Sequence, residues 1–258
     1  MNNLIQWPRA KYWDNAWNPI IGCKPCSPAC ENCYAASWAK RFGQSFEPHE
    51  SKHTRPPSKG IVFCGNMTDL FGEWMNPYCS SEFILHCIGE SVNAYHLWLT
   101  KRVENMTDAL RKLTSHITSA EAIRCLPKHF ARNYFGFTAE NQEWYNRRIK
   151  DFRGCMPRWA KGWLSAEPLL GPIDLGLRYI APEDAPFDWV VVGCESGPNL
   201  RPCKIEWVES IVEQCLDTSV PVFVKQLDIG GKCVTDINKF PEHLRIRQVP
   251  WAKEGGAK

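Results

Sequence analysis

Trp189-Val190-Val191-Val192-Gly193-Cys194-Glu195-Ser196-Gly197 carries the pattern on which the chain is built. A short, continuous apolar run closed by polar residues and glycine reads as a strand buried on both faces. The same pattern recurs on either side of it. Ile61-Val62-Phe63-Cys64 runs into Gly65-Asn66-Met67-Thr68-Asp69, and His96-Leu97-Trp98-Leu99-Thr100 into Lys101-Arg102. Tyr134-Phe135-Gly136-Phe137-Thr138 ends at Ala139-Glu140-Asn141, Gly162-Trp163-Leu164-Ser165-Ala166 at Glu167-Pro168, and Val222-Phe223-Val224 at Lys225-Gln226. Between them, helical patterns span Ser81 to Ala94, Glu104 to Leu113 and Gln142 to Phe152, and Ile205, Val208, Ile211, Val212 and Cys215 recur at helical spacing.

Strand, polar turn and helix in alternation make βαβ units and a parallel sheet. We expect an α/β fold, a partial or complete parallel (β/α) barrel of about six to eight strands in one domain over residues 1–258. Functional groups in such barrels gather where the strands end, and every strand here ends in a polar cluster. A doubly wound sheet is the alternative, but the chain has no Gly-rich dinucleotide fingerprint or phosphate loop to go with it. Residues 1–17, with Trp7, Trp13 and Trp17, read as an irregular lead-in. Residues 44–59 read as a loop, and 233–258 as an irregular tail.

The chain is 44% hydrophobic, ample for a core, and no apolar run is long enough to cross a membrane. Its 13 cysteines are an odd number, and most are scattered through apolar stretches, as at Cys87, Cys194 and Cys215. With no secretory signal pattern at the N-terminus, that set suits a reducing cytoplasm better than a disulfide framework. The net charge is +3, but Lys101 to Lys161 hold 13 Lys/Arg against 6 Asp/Glu, or +7, which leaves −4 elsewhere. A basic middle third is compatible with a polyanionic partner, and equally with solvated helix faces.

Cys23-Lys24-Pro25-Cys26-Ser27-Pro28-Ala29-Cys30-Glu31-Asn32-Cys33-Tyr34 puts four cysteines in one short loop. Thiolates bind soft metals and iron–sulfur clusters. Three of them can hold three irons of a 4Fe–4S cube and leave the fourth iron open, the arrangement that a radical S-adenosylmethionine (SAM) enzyme needs. A tetrahedral zinc site competes, although only three residues separate Cys26 from Cys30, too short a loop to wrap a tetrahedron easily. Disulfides are the third reading.

A family resemblance now enters, on Trp17-Asn18-Pro19-Ile20-Ile21-Gly22-Cys23, Ser27-Pro28 with Cys30-x-Asn32-Cys33-Tyr34, Asn66-Met67-Thr68-Asp69-Leu70-Phe71, Thr100-Lys101-Arg102, Glu140-Asn141-Gln142-Glu143, Ser165-Ala166-Glu167-Pro168-Leu169-Leu170-Gly171-Pro172 and Gly193-Cys194-Glu195-Ser196-Gly197-Pro198. From about Trp17 to Gln226 these motifs resemble, in order, a phage-type family of unknown function that is a divergent branch of the radical SAM superfamily. The resemblance implies a barrel of the radical SAM type, with a 4Fe–4S cluster and SAM as cofactors. The family has its first cysteine where Cys23 stands and none at Cys26. The spacing usual in the superfamily would take Cys26, Cys30 and Cys33 instead. Cys30 and Cys33 are ligands either way, and the third ligand is open between Cys23, which the resemblance favours, and Cys26.

The resemblance also implies roles for the strand ends. Asn66, Thr68 and Asp69 stand where the SAM amino group binds, and Thr138, Glu140 and Asn141 where its ribose lies. Glu195 and Ser196 complete the cofactor site, and Lys101, Glu167 and Lys225 are the catalytic candidates. Lys101, Arg102 and Lys225 offer positive charge to a carboxylate or phosphate. Plain readings stand beside these: Thr68, Asp69 and Asn141 as helix caps, and Lys101 with Arg102 as a solvated pair. The expected partners are a nucleotide or DNA substrate and an electron donor such as a flavodoxin or ferredoxin. The protein is expected to be a monomer in the cytoplasm, the host's if phage-encoded. The alternative function is a nucleic-acid binding module with a structural, cysteine-bound zinc.

Overall fold

A computed structural model describes residues 6–52, 55–115, 130–156, 160–180, 184–197 and 199–253. Its centre is an eight-stranded sheet in the order β1 (Asn15–Trp17), β4 (Lys59–Cys64), β5 (Asn93–Thr100), β6 (Asn133–Thr138), β7 (Lys161–Ala166), β8 (Trp189–Gly193), β9 (Val222–Asp228) and β10 (Cys233–Val234). Every pairing is parallel except the last, where β10 runs antiparallel to β9. The sheet curls into a half-barrel whose edges, β1 and β10, are not joined to each other. The α/β reading with a partial barrel therefore stands. β2 (Ile20–Ile21) and β3 (His49–Glu50) form a separate antiparallel pair.

Five α-helices accompany the strands: α1 (Tyr34–Arg41), α2 (Pro77–Glu90), α3 (Val103–Ser115), α4 (Gln142–Cys155) and α5 (Ile205–Asp217). Asn76 caps α2 by accepting from the Tyr78 amide, with Pro77 in the first turn where its missing N–H costs nothing. That signal starts the helix earlier than apolar periodicity suggested. The helix stops at Glu90, and Ala94 belongs to β5, not to the helix. On α3, Val103, Met106, Leu110 and Leu113 form the buried stripe expected of an amphipathic helix.

Alternation along the strands gives the sheet two different faces. Val62, Trp98, Phe135, Leu164, Val190 and Val224 point outward into the core shared with the helices. Phe63, Leu97, Tyr134, Trp163, Trp189 and Phe223 point inward, where Tyr12 and Trp251 join them. Trp189 lies 4.9 Å from Trp251 and 5.3 Å from Trp163 between ring centroids. Gly136 is needed on this face, since a Cβ there would fall 2.5 Å from the Trp163 ring.

The flanking segments are thus more structured than their composition indicated. The lead-in supplies strand β1 and the buried Tyr12. The loop at 44–59 contains β3, and the tail contains β10 and a bridge from Arg247 to Phe223. All are short pieces that pair with a neighbour already in place. Composition alone does not reveal them. Residues 1–5 of the lead-in and 254–258 of the tail lie outside the described residues.

Candidate functional site

The cysteine loop crosses the end of the half-barrel where the parallel strands finish. Gly22 delivers the chain into it at φ +95°, with Glu47 O only 2.4 Å from where a Cβ would stand. The Gly22 amide donates to Met67 O, and Thr68 Oγ1 donates to Gly22 O at 2.6 Å. Asn18 bridges to Asn66 Oδ1 and to the Met67 amide.

Three carboxylate–arginine pairs then tie the loop to the strand ends. After β4, Asp69 accepts from Thr100 Oγ1 and the amides of Phe71 and Lys101, and pairs with Arg102 at 3.2 Å. Arg102 also pairs with Glu73 at 2.6 Å and donates to Lys24 O of the loop at 2.8 Å. After β6, Glu140 is 0% exposed, pairs with Arg148 at 2.8 Å and faces the Ala29 amide of the loop. Arg148 also donates to Thr138 O and Lys101 O, joining the ends of β5 and β6. After β8, Glu195 accepts from Arg201 and from Asn32, which lies between Cys30 and Cys33, while Arg201 reaches Glu31 at 3.0 Å. Burial alone would raise the Glu195 pKa, but the bonds from Arg201 and Asn32 outweigh it and hold the carboxyl below its ordinary range.

A cleft of about 240 Å³ opens between this loop and the concave face of the sheet. Of the residues singled out from sequence, Cys23, Cys30, Cys33, Asn66, Thr68, Asp69, Lys101, Thr138, Glu167, Glu195, Ser196 and Lys225 line it. Cys26, Glu140 and Asn141 are not among its lining residues. Glu140 is closed in by its arginine, and Asn141 is the cap of α4, accepting from the Trp144 amide. Asp69 reaches the cleft with both carboxylate oxygens already engaged by internal donors. These three are corrections to their reading as cofactor ligands: each already meets a need of the fold.

Glu167 differs from the other acids. Its partner is Lys225, at 2.9 Å, and its second oxygen faces the Tyr12 hydroxyl at 3.4 Å. The Lys225 ammonium lies 5.7 Å from the Tyr12 ring centroid and 5.6 Å from that of Trp13. This acid–base pair with aromatic walls lines the cleft itself. Thr138 and Ser165 lie on the same inward parity of the strands.

The four loop thiols have different environments. The Cys26 thiol donates to the Cys30 sulfur and, with the Lys101 ammonium nearby, pulls Cys30 down to about 4 against the opposing effect of burial. Cys26 is raised in turn, mainly by the same bond. Cys23 is pushed up to about 11, first by burial and then by the Asp69 charge. Among the described residues no three His, Cys, Asp or Glu side chains converge closely enough to hold a single metal ion. A cube takes each thiolate on a different iron, so three cysteines lining one cleft fit a cluster without converging. A zinc ion would require the sulfurs to be drawn together.

Several participants went unread in the sequence. Arg148 and Arg201 sit inside a helix and a loop with no motif to mark them. Tyr12 and Trp13 come from a segment read as irregular. The strand-end acids were visible, and the signal they offered was that a buried acid needs a cation. The basic segment from Lys101 to Lys161 is not an open face. Arg102 and Arg148 are buried in pairs, and Arg111 and Arg147 pair along their own helices. Residues 116–129 and 157–159 of that segment lie outside the described residues.

Fold and site together define a class: an α/β half-barrel with a cysteine-lined cleft at the C-terminal ends of its parallel strands. Over residues 8–245 the chain matches the model of the family described as "Protein of unknown function (DUF5131)", and it belongs to that family. No curated protein and no solved structure matches it.

Proposed function

We propose that the protein is a radical SAM enzyme whose 4Fe–4S cluster is held by Cys23, Cys30 and Cys33. One observation carries this reading: these three cysteines, and not Cys26, line a single cleft with the polar strand ends. When bound, the cluster supplies the electron that splits SAM into methionine and a 5′-deoxyadenosyl radical. The chain's own residues would do the rest. Cys26 donates to the Cys30 sulfur and orients it. Lys101, whose ammonium has no hydrogen-bond or ion-pair partner among the described residues, offsets negative charge beside the thiolates. Thr138, Ser165 and Ser196 offer hydroxyls to a bound nucleoside. Glu167, set by Lys225 and Tyr12, is the group best placed to hold or move a proton at the substrate. The inferred substrate is a nucleotide or a base in nucleic acid.

Anaerobic reconstitution tests this reading. The protein should turn brown and carry iron and sulfide for one cube per chain. Cys23→Ala, Cys30→Ala and Cys33→Ala should each lose the colour, and Cys26→Ala should keep it. The reduced holoprotein should release 5′-deoxyadenosine from SAM. A colourless protein carrying one zinc, or a C30A protein with a full iron load, would overturn the proposal.

A further inference from the structure

Helix α1 leaves the cysteine loop with its apolar residues arranged the wrong way round for packing. Its small residues, Ala35 and Ala39, are buried, while Tyr34, Trp38 and Phe42 are 53%, 46% and 57% exposed. A helix that serves only the core turns its large apolar side chains inward. Spacing of four residues puts the three rings on one face, roughly 6 Å apart along the axis. Trp38 and Phe42 pack together with ring centroids 4.8 Å apart, and Arg41 lies 5.9 Å over Phe42. The first ring, Tyr34, bonds to Asn66 O and lines the cleft, so the row of rings begins at the cleft and leads away from it.

The charge around this row has one sign. From Tyr34 to Phe46 there are two cations, Lys40 and Arg41, and no acid. Neither cation forms an ion pair among the described residues. The acids nearest the loop are neutralised: Glu31 by Arg201, Glu47 by Lys24 and Glu73 by Arg102. Lys101 remains unpaired in the cleft. Exposed aromatic rings interleaved with unpaired cations are the means by which proteins bind single-stranded nucleic acid, with bases stacking on rings and phosphates meeting cations. A purely apolar partner would give Lys40 and Arg41 nothing to pair with, and a duplex would keep its base faces stacked away from the rings.

We propose that α1 is a docking platform for single-stranded nucleic acid, with Trp38 and Phe42 stacking on bases, Lys40 and Arg41 meeting phosphates, and Tyr34 leading the strand into the cleft. This goes beyond the proposed chemistry and does not depend on it, because docking requires neither iron nor SAM.

The test is fluorescence anisotropy with the purified full chain and a labelled oligothymidine of about a dozen nucleotides, against a duplex of the same length. The single strand should bind more tightly than the duplex, and its affinity should fall between about 50 and about 200 mM salt. Trp38→Ala should weaken binding about tenfold, one stacked base lost, and Trp38→Phe should recover most of it. Replacing Lys40 and Arg41 together by Gln should flatten the salt slope by roughly one. Circular dichroism and thermal melting should show Trp38→Ala folded, as expected for a half-exposed side chain. No binding at low salt, a preference for duplex, or an unchanged affinity in Trp38→Ala would each overturn the proposal. So would a dimer by light scattering that Trp38→Ala dissolves, which would make a second copy the occupant. Failure here leaves the cysteine reading standing, and a failed reconstitution leaves this one standing.

Discussion

Four acids follow strands at the same end of the half-barrel, and they divide into two kinds. Asp69, Glu140 and Glu195 each face an arginine and touch or brace the cysteine loop. Glu167 faces a lysine and the cleft. An arginine offers several donors in a rigid fork and can hold a carboxylate and a backbone carbonyl at once, as Arg102 and Arg148 do. A lysine is a single point charge on a flexible stem that can release its partner. The arginine-held acids therefore fix a loop, and the lysine-held acid remains available to chemistry. Proximity to a strand end does not separate the two kinds; the partner does.

The largest expected effect lies in the most buried pair. Arg148→Ala leaves Glu140 charged and fully enclosed, and should cost about 3–5 kcal/mol by urea denaturation. Changing both, Glu140→Leu with Arg148→Met, should cost less than either single truncation, since no charge is left unpaired. If Arg148→Ala is neutral, the pair braces nothing and the comparison breaks.

The Glu195 pair should show a smaller effect that depends on pH. Arg201→Ala should cost about 2 kcal/mol at neutral pH, where the charged carboxylate keeps its hydrogen bonds in the native state. Because the folded carboxyl sits below its ordinary range, its contribution is present above that range and lost as pH falls through the depressed value. The stability gap between wild type and Arg201→Ala should close on acidification. A gap that stays constant down to acid pH would remove Glu195 from the account.

The smallest effect on stability belongs to the cleft-facing pair. Glu167→Gln should change stability by less than about 1 kcal/mol, because the pair is partly open to solvent. The same variant should keep its iron and lose turnover in the anaerobic SAM assay. A large loss of stability with intact turnover would move Glu167 to the arginine-held kind.

Much of this was legible from the chain. The six apolar runs became strands because a parallel sheet covered on both faces requires such runs whatever else the chain does. The cap at Asn141 was readable as one of two alternatives, since its side chain meets an amide three residues away. Strand β1 was not legible. Three residues, two of them exposed, form a strand only because β4 lies alongside to receive their hydrogen bonds. Arg201 could be read as a cation but not as the partner of Glu195, because its other contact, Glu31, is 170 residues away in the chain.

By itself the sequence determined the order of strands, the polar clusters at their ends and the crowding of four cysteines into one loop. Each of these depends on neighbours in the chain or on the periodicity of an element. Tertiary structure decided which of those clusters faces a cleft and which is closed by an arginine, and that Cys23 shares the cleft with Cys30 and Cys33 while Cys26 turns to the Cys30 sulfur. Those outcomes depend on the curl of the sheet, which brings groups far apart in the chain to within hydrogen-bonding distance, where burial makes the choice of partner costly to reverse.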